Sequence, residues 1–351
     1  MHSEMERKLM DNLSKECDIP DSVLRKTEAA FVQIRKLKSE SVKKRGVSLR
    51  KRRVWVAAAA LFGVLTVSIL SNDSAIAAIK SFFYKDTGIQ KAVDNGFLQT
   101  VNHAVEDSGV TVQVDRIVAD KTKLVISFQL DFGDSSRVRT VDRVFLDLDI
   151  HDGNGRAIVE DGNRNSLASS MDWESDVTRR DSGKVIYDLI VQSPQGKFDD
   201  MQALSLDIKS ISLYWKHFEK PYRVITGDWK SRIELDKKFT NHESVKYTAE
   251  ENQLVKVLSA EMLPTGMAIE FIVAVPVDES ILRKVTLLDD QGNTYLPSNT
   301  ATMDYTEDGK DVVSMTFDAT AFDQIDGLKM IVKEVGDEDV AVNLFKEGAS
   351  R

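Results

Sequence analysis

The side chains able to do chemistry near neutral pH are few and poorly spaced. The five histidines are His2, His103, His151, His217 and His242. No two stand at ligand spacing on one element, so neither a metal centre nor a histidine-based acid–base pair is expected. The single cysteine, Cys17, excludes an internal disulfide and every multi-cysteine zinc motif. The densest oxygen cluster is Asp147, Asp149, Asp152 and Asn154. A calcium loop of the EF-hand kind needs glycine at its sixth position for the sharp turn, and counted from Asp147 that position is Asp152. These carboxylates read instead as turn formers and solvated strand positions. No GxSxG, HExxH, P-loop or GxGxxG is present. The expectation is a protein with no catalytic residues, no cofactor and no metal, hence not an enzyme. An active site assembled on a β scaffold from distant residues stays open as an alternative.

Charge carries more information. The net charge of -9 is divided unevenly along the 351 residues. Residues 1–53 hold 15 Lys/Arg against 8 Asp/Glu, a net of +7, and the rest holds 32 against 48, a net of -16. Between the two lies Val54–Leu70, seventeen residues without a charge. At ~1.5 Å per residue that run would be roughly 25 Å long as a helix, the short end of what spans a bilayer. Lys43, Lys44, Arg45, Arg50, Lys51, Arg52 and Arg53 stand directly before it, the arrangement that keeps the preceding segment cytoplasmic. Residues 54–73 are therefore expected to form one transmembrane helix of a cell-membrane protein, with the N-terminus cytoplasmic and everything beyond extracytoplasmic. A buried helix of a soluble domain and a cleaved signal peptide, for which Ala75-Ile76-Ala77 has the small-x-small pattern, are the alternatives.

Within residues 1–53 two short amphipathic helices are expected. Leu9 and Leu13 lie on one stripe, with Met5 and Cys17 in step. After Pro20, a second helix capped by Asp21 or Ser22 places Val23, Ile34 and Leu37 on one side, with Leu24 and Phe31 adjoining. Such helices bury little against each other, so these seven residues are the expected contacts for a cytoplasmic protein partner that takes a helix in a groove. A solvated juxtamembrane tail is the bland alternative. Direct nucleic-acid binding is not expected, since the positive cluster abuts the membrane run and lacks aromatic interleaving.

Beyond the apolar run, residues 74–96 read as a membrane-proximal helical segment ending at Gly96. The texture then changes to period two. GVTVQVDRIVAD, KLVISFQLDF, RVFLDLDIHD, KVIYDLIVQS and ALSLDIKSISLYW alternate apolar and polar residues, as strands of an antiparallel sheet with one buried face do. DGNG at 152–155 signals a hairpin. Three later stretches echo earlier ones in the same order, about 143, 137 and 124 residues apart: LVKVLSAEMLPTGMAIEFIVAVP with VQVDRIVADKTKLVISFQLDF, KVTLLDDQGNTYL with VFLDLDIHDGNGRAI, and FDQIDGLKMIV with FDDMQALSLDI. The fold expected is mainly β: short cytoplasmic helices, one transmembrane helix, then two immunoglobulin-like β-sandwich domains at 97–220 and 221–345. One large β domain is the alternative.

The run AIAAIKSFFYKDTGIQKAVDNGFLQTVNHAVEDSGVTVQVDRIVADKTKLVISFQL, residues 75–130, resembles domain of unknown function 4179. That family sits immediately outside a single transmembrane helix in Firmicute proteins. The later part, from ITGDWKSRIELDKKF to LPTGMAIEFIVAV, resembles the immunoglobulin-like domain of unknown function that often follows it. The resemblance implies a membrane-bound anti-sigma factor in which residues 1–53 hold an extracytoplasmic-function sigma factor. The chain departs from the zinc type of such proteins, because Cys17 alone cannot form a His-x3-Cys-x2-Cys cluster. The competing expectation is a cell-surface binding or structural protein whose β domains take an envelope component.

Overall fold

The computed structural model describes residues 86–348, apart from 217, 243, 276–278, 306–310 and 337. The expected transmembrane span, the positive cluster and the seven expected partner-binding residues all lie outside the described residues. No helix among the described residues is long and apolar enough to cross a membrane. The chain divides at Ser68, and all the described structure belongs to one compact unit, residues 69–351.

That unit is mainly β. It opens with one helix, α1 (Thr87–Asp94), capped by Asp86, whose Oδ1 accepts from the Ile89 amide at 3.0 Å. Asn95 and Gly96 end it, the glycine at φ +78° where a side chain would be strained. Of the expected helical stretch 74–96, this is the part described. Nine strands follow: β1 (Gln99–Asp107), β2 (Val110–Ala119), β3 (Lys123–Asp131), β4 (Arg143–Asp152), β5 (Ala157–Val159), β6 (Ser170–Asp176), β7 (Lys184–Gln192), β8 (Ala203–Tyr214) and β9 (Arg223–Glu234). They form two antiparallel sheets, β1-β2-β3-β7-β6 and β5-β4-β8-β9, around one core. Within that core Trp229 donates from Nε1 to the Val110 carbonyl at 2.9 Å, so the largest buried ring keeps its polar atom satisfied.

Nine more strands repeat the plan: β10 (Val245–Ala249), β11 (Val255–Leu263), β12 (Gly266–Val273), β13 (Val285–Asp289), β14 (Thr294–Tyr295), β15 (Pro297–Tyr305), β16 (Asp311–Phe317), β17 (Gly327–Val335) and β18 (Glu338–Lys346). Their order is β14-β13-β17-β18-β10-β11-β12-β16-β15, around a second core. Adding nine to each label of the first module reproduces both of its sheets. The difference is that β10 pairs with β18 as well as β11, joining the two sheets into one nearly closed sheet. The correspondence reaches individual residues. A β-bulge interrupts β2 after Val114 and β11 after Val257, 143 residues on. Asp152 accepts the Asn154 and Arg156 amides in one hairpin, and Asp289, 137 residues on, accepts those of Gln291 and Asn293 in the other.

The expected boundary at residue 220 falls inside the β8–β9 hairpin. Strand β9 pairs with β8 along its length, from Ala203↔Glu234 to Leu213↔Arg223, so the first pair of sheets extends to Glu234. The charged, proline-bearing stretch WKHFEKPYR, which looks like a linker, is a hairpin tip.

Candidate functional site: the joint between the two β modules

Four of the buried polar residues, Asp120, Thr122, Lys123 and Thr265, come together where α1 and the β2–β3 turn meet the β11–β12 turn. These two turns are the equivalent elements of the two modules. Asp120, fully buried in the first turn, accepts five hydrogen bonds. Its Oδ1 takes the Thr122 amide at 2.9 Å, the Thr122 hydroxyl at 2.8 Å and the Lys123 amide at 3.1 Å. Its Oδ2 takes the Thr265 amide at 2.9 Å and the Thr265 hydroxyl at 2.6 Å, across the module boundary. One carboxylate therefore shapes its own turn and holds the neighbouring module's turn. Bonds to an ionised acceptor are the stronger kind, roughly 1.5–3 kcal/mol each.

Lys123, also fully buried, is the first residue of β3. Its Nζ lies 2.6 Å from Asp86 Oδ2 and 3.3 Å from the Thr265 carbonyl. Asp86 thus caps α1 with one oxygen and holds the buried ammonium with the other. Gly88, in the first turn of α1, lies against the Thr265 backbone, where a Cβ would overlap the carbonyl oxygen. Glycine permits that approach. Gly266 is also crowded, though less so, since a Cβ there would stand 2.7 Å from the Phe317 carbonyl oxygen.

A shell of exposed and half-buried contacts surrounds this centre. Lys121 pairs with Glu261 at 2.9 Å, and Ser244 also donates to that carboxylate. Burial alone would raise Glu261, but the Ser244 hydroxyl and the Lys121 ammonium hold it below its ordinary value. Lys91 of α1 pairs with Asp323 at 2.7 Å, and the Thr87 hydroxyl donates to Asp318 at 2.8 Å. Burial, and then repulsion from Asp86, push Asp318 up despite that bond. Phe97, just after α1, stacks edge-on with Phe239 at 5.1 Å and Phe322 at 6.5 Å, and Phe322 packs against the first module's core.

What this arrangement can do is hold position. Each buried charge has an opposite or hydrogen-bonding partner across the boundary, so the chain entering at Asp86 is fixed to both modules at once. Two carboxylates of the 147–154 oxygen cluster are held in ion pairs: Asp149 with Lys209 at 2.6 Å and Asp152 with Arg156 at 2.7 Å. None of the joint residues was singled out from sequence. The available signals were the compact polar turn Asp120-Lys121-Thr122-Lys123 and the Asp86-Thr87-Gly88 cap. Their partners lie 37 and 145 positions away, beyond the reach of local pattern.

No curated protein matches the chain. Among solved structures it is similar to "the crystal structure of the conserved domain protein from Bacillus anthracis", with 14% identity over 73% of this chain and 92% of that one, at a TM-score of 0.45. Over residues 48–131, from the last cations of the positive cluster through the apolar run and α1 to the end of β3, the chain is similar to the family described as Domain of unknown function (DUF4179).

Proposed function

We propose that the chain is a single-pass membrane signalling protein, an anti-sigma factor that sequesters an extracytoplasmic-function sigma factor through its N-terminal segment. On this reading residues 1–53 are cytoplasmic, residues 54–73 cross the membrane, and the two β modules, which we read as immunoglobulin-like sandwiches, lie outside. The observation that carries the reading is the joint. The described structure begins at Asp86, Thr87 and Gly88, which are bonded or packed against residues of both modules. On this reading a change at the joint is passed to the residues that precede Asp86. The family similarity supports the same reading, because its matched region covers the apolar run and the first three strands together, and DUF4179 is associated with anti-sigma-factor-like proteins.

The test is affinity capture of the tagged full-length chain from the native cell envelope, with bound proteins identified by mass spectrometry. One sigma factor should be recovered, and the double substitution Leu24→Asp/Phe31→Asp should abolish its recovery without changing the amount of membrane-bound chain. Recovery of no sigma factor would overturn the proposal. A cell-surface binding protein is then the better reading, and an open groove of about 770 Å³ beside Leu282, Arg283, Leu296 and Pro297 is where an envelope component would be sought.

A further inference from the structure

At the pole of the first module opposite the joint, the β8–β9 hairpin ends in an exposed aromatic tip. Phe218 is 58% exposed, Val224 48% and Trp215 43%. Tyr222 stacks on Trp215 at 4.5 Å and 11°, and Phe218 meets Trp215 edge-on at 5.9 Å. The tip is braced from below. Arg143 donates to the Phe218 carbonyl at 2.9 Å and lies 4.7 Å from the Tyr214 ring, and the Lys216 amide donates to Asp142 at 2.8 Å. The apolar side chains are thus held outward instead of collapsing onto the module.

The surroundings are positive. Segments 107–110, 131–143, 176–184 and 214–224 meet at this pole and carry nine Lys/Arg against seven Asp/Glu, a net of +2, on a chain whose residues 54–351 net -16; Lys184 pairs with Asp131 and Arg180 with Asp142, which leaves the hairpin's own Lys216, Lys220 and Arg223 as its main positive charge. The β1–β2 turn is tied to β9 through Ser108 and Thr226, and the loop before β7 to the one before β4 through Arg180 and Val141. Lys216, Lys220 and Arg223 ring the aromatic tip and are exposed.

We infer that this hairpin tip docks the outer region onto an anionic phospholipid bilayer. Aromatic residues backed by exposed Lys and Arg are the composition that settles at the headgroup level of such a surface. A sugar-stacking platform is disfavoured, because the facing sides of Trp215 and Tyr222 are taken by each other and Phe218 crowds Trp215 as well. Strand β8, twelve residues and ~40 Å long, separates the joint pole from the tip. The inference rests on the chemistry of the tip and not on the single-pass reading.

The test uses full-length Trp55→Phe protein reconstituted into vesicles whose lipids carry brominated acyl chains. With phosphatidylglycerol, tryptophan emission should be quenched at least about twofold more than after adding Trp215→Phe, and the difference should vanish in phosphatidylcholine. Lys216→Glu/Lys220→Glu/Arg223→Glu should abolish the quenching, and the single exposed change Phe218→Ser should reduce it if the triple variant does not fold. Equal quenching with and without Trp215 in phosphatidylglycerol would overturn the inference. So would a Trp215 response to soluble polyphosphate with none to the bilayer, which would make the partner a free polyanion. Release of the chain by alkaline extraction would refute the single-pass reading while leaving the Trp215 comparison intact.

Discussion

Replacing Lys123 with methionine tests whether the joint is held by a buried ion pair or by shape alone. Methionine nearly fills the lysine's volume, so little cavity is left and the loss is electrostatic. The substitution leaves Asp86 without its cation and the Thr265 carbonyl without its 3.3 Å donor. Removing one partner of a buried pair typically costs 3–5 kcal/mol. Asp86 retains the Ile89 amide and is 15% exposed, which places the cost near the low end, about 3 kcal/mol. Adding Asp86→Asn removes the stranded charge while keeping an oxygen for the cap, so the double variant should lose only ~1–2 kcal/mol relative to the parent. The full chain would be unfolded by urea, with emission from Trp229 and Trp173 and amide exchange at Ile89 followed in parallel. A double variant as unstable as the single one, within about 0.5 kcal/mol, would show that the stranded Asp86 charge is not the source of the loss and refute the reasoning.

Two further substitutions probe other features. Gly88→Ala should separate α1 from the Thr265 backbone and speed amide exchange in Ile89–Ala92 more than in the distant strands, because the new Cβ has no room; unchanged exchange there would refute the close approach. Burial, with Glu174, Asp176 and Asp115 nearby, pushes Asp188 up to about 6, with the Ser127 hydroxyl opposing. The native state therefore holds a proton that the unfolded chain has already lost between roughly pH 4 and 6, so stability falls as pH rises through that window, by ~3 kcal/mol in all. Asp188→Asn should remove that dependence and raise stability at about pH 7.5; denaturation midpoints across the range would check it, and an unchanged slope would refute it.

How far the fold was legible depended on which side of a strand carried the signal. Strands β2, β3, β4, β7 and β8 coincide with the alternating stretches within a residue or two, because each turns apolar side chains into a core. Strands β1 and β6 were not legible. QTVNHAVED and SMDWESD are edge strands whose residues are mostly polar and partly exposed, so alternation hardly registers. The boundary at 220 misled because a basic hairpin with Pro221 has the composition of a linker. The repeat was legible only as weak echoes, since a duplicated topology constrains bulges and turn carboxylates more tightly than it constrains side-chain identity. The joint was not legible at all. Asp120, Lys123 and Asp86 look like ordinary turn and cap residues until Thr265 is brought beside them.

The meeting of equivalent turns has a consequence for how many modules can be joined in this way. A contact between like elements, here the β2–β3 turn against the β11–β12 turn, uses the same end of each module, so neither keeps a free copy of it, although the bonds run one way, to Asp120 from Thr265, without the reciprocal pair of an isologous contact. A head-to-tail contact leaves a free end that accepts another copy and lets an array grow. This one does not, and α1 wedged beside it takes up further space at the same place. Two modules joined in this way form a closed pair, so a third would need a contact of a different kind, built from surfaces that neither module uses for the other.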